Sequence, residues 1–168
     1  MQDILIIRQP KHREEYEAMY NLRWVCLRKP WNQPKGSERD NGESNADQFI
    51  AVLHDKVIGT ARLHKINENV GQIRYLAVDE SYRKKGVASK ILEAIHLTAK
   101  NKFITYLIIN ARETAIKFFE KKGYKIVGEG PFLFGEIKHK KMVIQFGRSD
   151  LRMRSIIENL KKTLLTED

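Results

Sequence analysis

Residues 3–8 (Asp-Ile-Leu-Ile-Ile-Arg) form a short β-branched run that predicts a strand, closed by Pro10. Apolar positions then recur three and four apart at Met19, Leu22, Val25 and Cys26, behind an acidic first turn of Glu14, Glu15 and Glu17. That spacing predicts a helix over 11–28 with Cys26 on its buried stripe, an inert thiol. Residues 29–47 break the pattern: 19 positions hold two prolines, two glycines and many Asn, Asp and Ser. Loops this long inside a compact domain usually serve function, and Trp31 sits in this one. It is expected to form a wall or lid of a binding pocket.

Two β-rich runs, 48–53 and 57–66, flank His54-Asp55-Lys56 and predict a hairpin. A strand over 72–78 follows Gly71. Val87, Ile91, Ile95 and Ala99 then mark one face of a helix. Residues 103–109 are apolar on both faces, as in a central strand. A helix over 111–122 ends at Gly123, and strands are expected over 124–128 and 140–146. A last helix over 150–165 carries Leu151, Ile156, Ile157, Leu160 and Leu164 on one stripe, which should dock on its own domain or on a second copy. The predicted order is β-α-β-β-β-α-β-α-β-β plus one helix: an α/β domain around a single mixed sheet.

Composition narrows the class. The 168 residues suit one domain, and 42% hydrophobic with 31% charged residues suits a globular protein. Apolar runs such as Ile4–Ile7 are far below the ~18 residues of a membrane helix. The first residues show neither a basic lead nor a signal-peptide apolar segment, and one cysteine excludes an internal disulfide and a cysteine zinc site. A reducing cytoplasm is the expected compartment, with no membrane partner and no metal.

Net charge is +10. Residues 81–102 carry Arg83, Lys84, Lys85, Lys90, Lys100 and Lys102 against Glu93 alone. A basic cluster at one site favours a small phosphate-bearing ligand over a long nucleic-acid track. The cluster follows a strand, and Gly86 then opens a helix with Val87, Ala88 and Ser89. Free N–H groups and the positive dipole end make a helix start an anion site, and glycine lets the ligand approach. A plain solvated basic turn is the alternative. Neither a Walker loop nor a dinucleotide fingerprint is present.

Arg83-Lys84-Lys85-Gly86-Val87-Ala88 matches R/Q-x-x-G-x-G/A, and the segment resembles the acyl-CoA pyrophosphate loop of the GNAT N-acetyltransferases. About 30 residues on, Asn110 to Tyr124 is similar to that family's N-x-x-A-x-x-F-Y-x-x-x-G-F/Y helix. The resemblance covers roughly 3–147. It implies an N-acetyltransferase domain over 1–147 with a helical extension over 148–168. Within the family the chain looks closest to the ElaA-like acetyltransferases, through Leu22-Arg23, an acidic loop after the first helix, and Ile137-x-His139-x-x-Met142. Lys138 stands where those proteins have proline.

The resemblance implies a mostly antiparallel sheet of the acyl-CoA N-acyltransferase type, with acetyl-CoA between two diverging strands. The 83–89 backbone would hold the pyrophosphate. Leu76, Ala77 and Val78 would pair with the pantetheine arm and polarise the thioester carbonyl, while Asn110, Phe118 and Phe119 would flank the arm. A primary amine, on a small molecule or a peptide, would attack directly in a ternary complex. The strand over 72–78 lacks the carboxylate many relatives use as base, which leaves His64 and His139 as candidates. Phe119 stands where many relatives place a tyrosine acid. Trp31, Glu43 and Asp47 are candidates for the acceptor, the two acids for a cationic one. Two further readings stay open: a non-catalytic acyl-CoA-binding regulatory module, and a nucleic-acid binder motivated by charge. Monomer and homodimer are both compatible with the chain.

Overall fold

In the computed structural model, residues 3–147, Asn159, Leu160 and Lys162 are described. The elements run β1 (Ile6–Arg8), α1 (Arg13–Leu27), β2 (Asp47–Leu53), β3 (Lys56–Lys65), β4 (Val70–Val78), α2 (Val87–Asn101), β5 (Tyr106–Arg112), α3 (Ile116–Lys121), β6 (Lys125–Leu133) and β7 (Ile137–Gln145). They form one seven-stranded sheet in the order β1-β2-β3-β4-β5-β7-β6. Only β4 and β5 pair in parallel, joined through α2; every other pairing is antiparallel. His54 and Asp55 both adopt left-handed φ, so β2 and β3 close through a two-residue turn suited to strand twist.

Strand alternation sends Phe49, Ala51, Ala61, Leu63, Ile73, Leu107 and Ile109 to the face covered by α2, where they meet Ile91, Leu92 and Ile95. The opposite face is covered at one end by α1, with Met19 against Ile50 and Val52. Farther along it, Val70, Tyr106, Ile108 and Val143 enclose Leu160.

Several boundaries differ from the sequence reading. The strand expected over 103–109 starts at Tyr106, because Phe103 is left-handed and exposed in the turn after α2. The helix expected over 111–122 is shortened: β5 runs through Arg112, a 3-10 turn covers Glu113–Ala115, and α3 keeps six residues. β6 extends across Gly130 and Pro131, since an edge strand tolerates a residue with no N–H to donate. A Cβ at Gly130 would lie 2.7 Å from that of His139, so glycine permits the close pairing there. Apart from helical Asn159, Leu160 and Lys162, the last helix lies outside the described residues.

Candidate active site

The site begins with one extra residue in β4. Thr60 pairs with Ala77 and Arg62 with Arg74, so two β4 residues stand opposite Ala61 alone. Tyr75 takes up the excess at φ +57°. Below this bulge β4 pairs with β5 over Val70–Ile73 and Tyr106–Ile109; above it the pairing stops. A cleft of about 770 Å³ opens between the strands. Its walls come from β4 and β5, one end from Phe118 and Phe119 of α3, and the opposite side from Val25, Cys26, Arg28 and Trp31. Pro131, Leu133 and His139 contribute from β6 and β7.

At one mouth β4 passes into the basic turn. Asp79 accepts the Ser81 N–H at 2.9 Å and starts a short 3-10 turn over Glu80–Tyr82. Lys84 (φ +60°) and Gly86 (φ +83°) are both left-handed, and α2 begins directly after. Gly86 is the N-cap, and no side chain bonds the exposed amides of the 15-residue helix. A Cβ at Gly86 would meet nothing within 4 Å: the space before the helix is open. An uncapped amide cradle, a residue without a side chain and three adjacent cations fit a diphosphate. Two of those cations also brace the turn, Arg83 Nε donating to Val78 O at 2.9 Å and Lys85 to Ser81 O at 3.4 Å.

Leu76, Ala77, Val78, Arg83, Ala88, Asn110, Phe118 and Phe119 all line the cleft. Lys84, Lys85, Gly86 and Ser89 belong to the turn and helix start at its mouth, while Val87 is buried in the core beneath. Cys26 is half-buried in the wall rather than sealed in the core, and its thiol points at Val78 O, 3.7 Å away. Burial raises its pKa, against the opposing pull of Arg83.

Beside the cleft lies a buried ion network that the sequence reading did not anticipate. Arg62 bonds Asp40 at 2.6 and 3.0 Å and Glu43 at 2.6 Å. Arg23, fully buried, bonds Glu43 at 2.7 Å and Gln48 at 2.5 Å. Tyr75 donates to Asp40 at 3.2 Å, with the Arg23 guanidinium 4.4 Å from its ring centre. Burial would raise the carboxyls of Asp40 and Glu43, but their arginine partners outweigh it and hold both below the usual carboxylate range. The signal was present: Arg62 shares a strand face with Thr60 and His64, and Arg23 stands one turn beyond Met19 on α1.

The structure thus separates the candidate residues. Trp31 and His139 line the cleft; Glu43, Asp47 and His64 do not. Glu43 is engaged by two arginines, and Asp47 is bound to Lys102 at 2.5 Å. Burial, then the charges of Arg62 and Arg74, push the His64 pKa down to about 4. His139 is buried, and its Nδ1 lies 2.8 Å from Pro131 O. A carbonyl only accepts, so Nδ1 donates to it, and in the neutral ring the lone pair is then on Nε2.

The chain matches the model of the acetyltransferase (GNAT) family over residues 16–124. It belongs to that family. It is 26% identical over 133 residues to the uncharacterized N-acetyltransferase YjcF of Bacillus subtilis, covering 79% of this chain and 94% of that one. Its fold is shared with an aminoglycoside 6′-N-acetyltransferase complexed with coenzyme A, at TM-score 0.74 and 16% identity, covering 86% of this chain and 99% of that one. A GNAT family acetyltransferase from Elizabethkingia anophelis with acetyl-CoA bound superposes at TM-score 0.65 and 15% identity, covering 86% and 98%. Among the described residues no helix is long and apolar enough to cross a membrane, and no cluster of side chains could hold a metal ion.

Proposed function

We propose that this protein transfers the acetyl group of acetyl-CoA to a primary amine, by direct attack in a ternary complex. The observation that carries the reading is the cleft at the β4–β5 divergence, which opens onto the uncapped start of α2 at Gly86. The thioester supplies an activated acetyl group. The turn 83–89 receives the pyrophosphate on backbone amides. The β4 edge at 74–78, unpaired toward β5, offers N–H and C=O groups to the pantetheine amides and a donor to the thioester carbonyl. Asn110 and Phe119 flank that arm.

His139 serves as base: Pro131 orients the ring, and Nε2 takes the ammonium proton. No acid is assigned to α3, because Phe119 has no proton to give and the thiolate departs unprotonated. The acetyltransferase unit spans 1–147, and 148–168 is an extension whose Leu160 packs on the sheet. The ElaA-like resemblance gains support from Arg23 and His139, both buried beside the cleft.

The test is release of free CoA thiol with acetyl-CoA and an amine panel, run beside calorimetric CoA binding. Thiol release matched by acetylated amine is the expected result. Tight CoA binding with no turnover on any amine would favour the non-catalytic module.

A further inference from the structure

Four guanidinium groups line the cleft; Arg83 belongs to the basic turn at its mouth, and the other three come from three elements: Arg28 just past α1, Arg74 beside the bulge, and Arg112 at the end of β5. None has a carboxylate to itself. Arg28 is held by backbone carbonyls, Nε to Ser37 O at 3.0 Å and Nη1 to Leu27 O at 2.9 Å. Arg112 lies 4.6 Å from the Trp31 ring centre and has no ion-pair partner among the described residues. Arg74 reaches only Asp40, at 3.3 Å, and Arg62 already binds that carboxylate in bidentate fashion.

The acids of the lining are Asp79 and Glu80, both beside the pyrophosphate turn. Glu43 is spent on Arg23 and Arg62, and Asp47 on Lys102. A polycationic amine would therefore enter against three positive charges with no carboxylate to receive it. Burial, and then like charge, already weaken two of these cations. Arg28 is lowered by burial and by Arg74, and Arg112 by burial and by Arg28. An oxyanion placed among them would relieve the repulsion and gain fork-shaped, charge-assisted hydrogen bonds.

We propose that the acceptor is a small amine that also carries an oxyanion, a carboxylate or a phosphate, held by Arg28, Arg74 and Arg112 while the amine faces the thioester. This rests on the acetyltransferase reading above. Indifference to charge is what a purely steric pocket would give; an arginine-lined site discriminates strongly, because removing the oxyanion leaves desolvated cations unpaired.

The experiment measures CoA release with matched acceptors: α-amino acids against their carboxamides, phosphoethanolamine against ethanolamine, and spermidine as the polycation. At least one oxyanion-bearing amine should exceed its neutral partner in kcat/KM by roughly 10–100-fold. The amino-acid and phosphate pairs tell the two oxyanions apart. Arg112→Gln and Arg28→Gln should raise KM for that acceptor by a similar factor, and by clearly more than they change KM for its neutral partner or the Kd of CoA. Arg112→Lys should recover part of the loss. Equal or better turnover of neutral amines or spermidine would overturn the proposal. So would the absence of turnover on every oxyanion amine by a protein that binds CoA, or a loss in Arg112→Gln confined to CoA affinity. Failure to bind CoA at all would instead strike the acetyltransferase reading.

Discussion

The Arg62 guanidinium and the Asp40 carboxylate meet in two hydrogen bonds, Nη1 to Oδ1 at 2.6 Å and Nη2 to Oδ2 at 3.0 Å. Arg62 lies in the middle of β3, and Asp40 in the long loop between α1 and β2. The bond pins the far half of that loop to the sheet, while Arg28, Pro30 and Trp31 at its near end form cleft wall. Asp40→Ala leaves a buried guanidinium short of its main partner and should cost about 3 kcal/mol, read by urea denaturation. An unchanged midpoint would show that the pair contributes nothing net.

Acid sensitivity should begin well above the carboxylate range. His64 has a folded pKa near 4, below its ordinary 6.5, so the unfolded chain binds the proton first. Stability is then fully present above pH 6.5 and is lost as pH falls from 6.5 toward 4. Asp40 and Glu43, depressed in the fold, add a further loss below about pH 4. Denaturation midpoints for the wild type and His64→Gln across this range should differ in slope between pH 6.5 and 4. Parallel curves would contradict the assignment.

At the turn before α2, Gly86→Glu places a carboxylate into the open space where the diphosphate is expected. Since nothing lies within 4 Å of that Cβ, the substitution clashes with no neighbour, although φ +83° adds roughly 1–2 kcal/mol of backbone strain. The folded variant should lose CoA binding at least tenfold by calorimetry, whereas Gly86→Asn, a residue tolerant of left-handed φ, should lose far less. Undiminished affinity in Gly86→Glu would move the pyrophosphate elsewhere.

His139→Gln preserves a polar side chain but removes the proposed base. It should lower kcat by about 10²–10⁴-fold and abolish the acidic limb of its pH profile. A smaller loss with the limb intact would transfer the proton to solvent or to another group.

Tyr124 is a separate matter from the missing acid at Phe119. Its phenol lies in the core, 2.8 Å from His96 Nε2, and burial raises its pKa. Tyr124→Phe should therefore cost about 1 kcal/mol of stability and leave kcat unaltered across pH. Collapse of the basic limb in that variant would make Tyr124 the acid after all.

Much of this architecture is written in local pattern. Val87, Ile91, Ile95 and Ala99 face the sheet as their spacing requires, and the basic turn could be placed before a helix start because one short segment carries its whole pattern. What stayed hidden depends on distant chain. Arginine at 23 or 62 reads as a solvent-facing residue until a loop returns Asp40 and Glu43 to neutralise it. For the same reason the two loop acids looked like receptors for a cationic acceptor, since sequence does not show which charges are already paired. Nor does it show that β5 begins three residues late, because Phe103 and Ile104 are as apolar as the strand they precede.

Tyr75 also changes how β4 must be counted. Up to Arg74, even positions share the α1 side of the sheet; past the bulge, Ala77 stands opposite Thr60 and takes over that side. The strand changes parity in the middle. Removing residue 75 would restore a single parity, keep Leu76 and Ala77 on their present faces, and bring the upper half of β4 back into step with its neighbours. The backbone row now left open toward β5 could then zip shut, with Tyr75 lost and every other side chain of the cleft retained. In this protein a one-residue deletion, ordinarily the mildest of length changes, is predicted to erase the binding site by arithmetic alone.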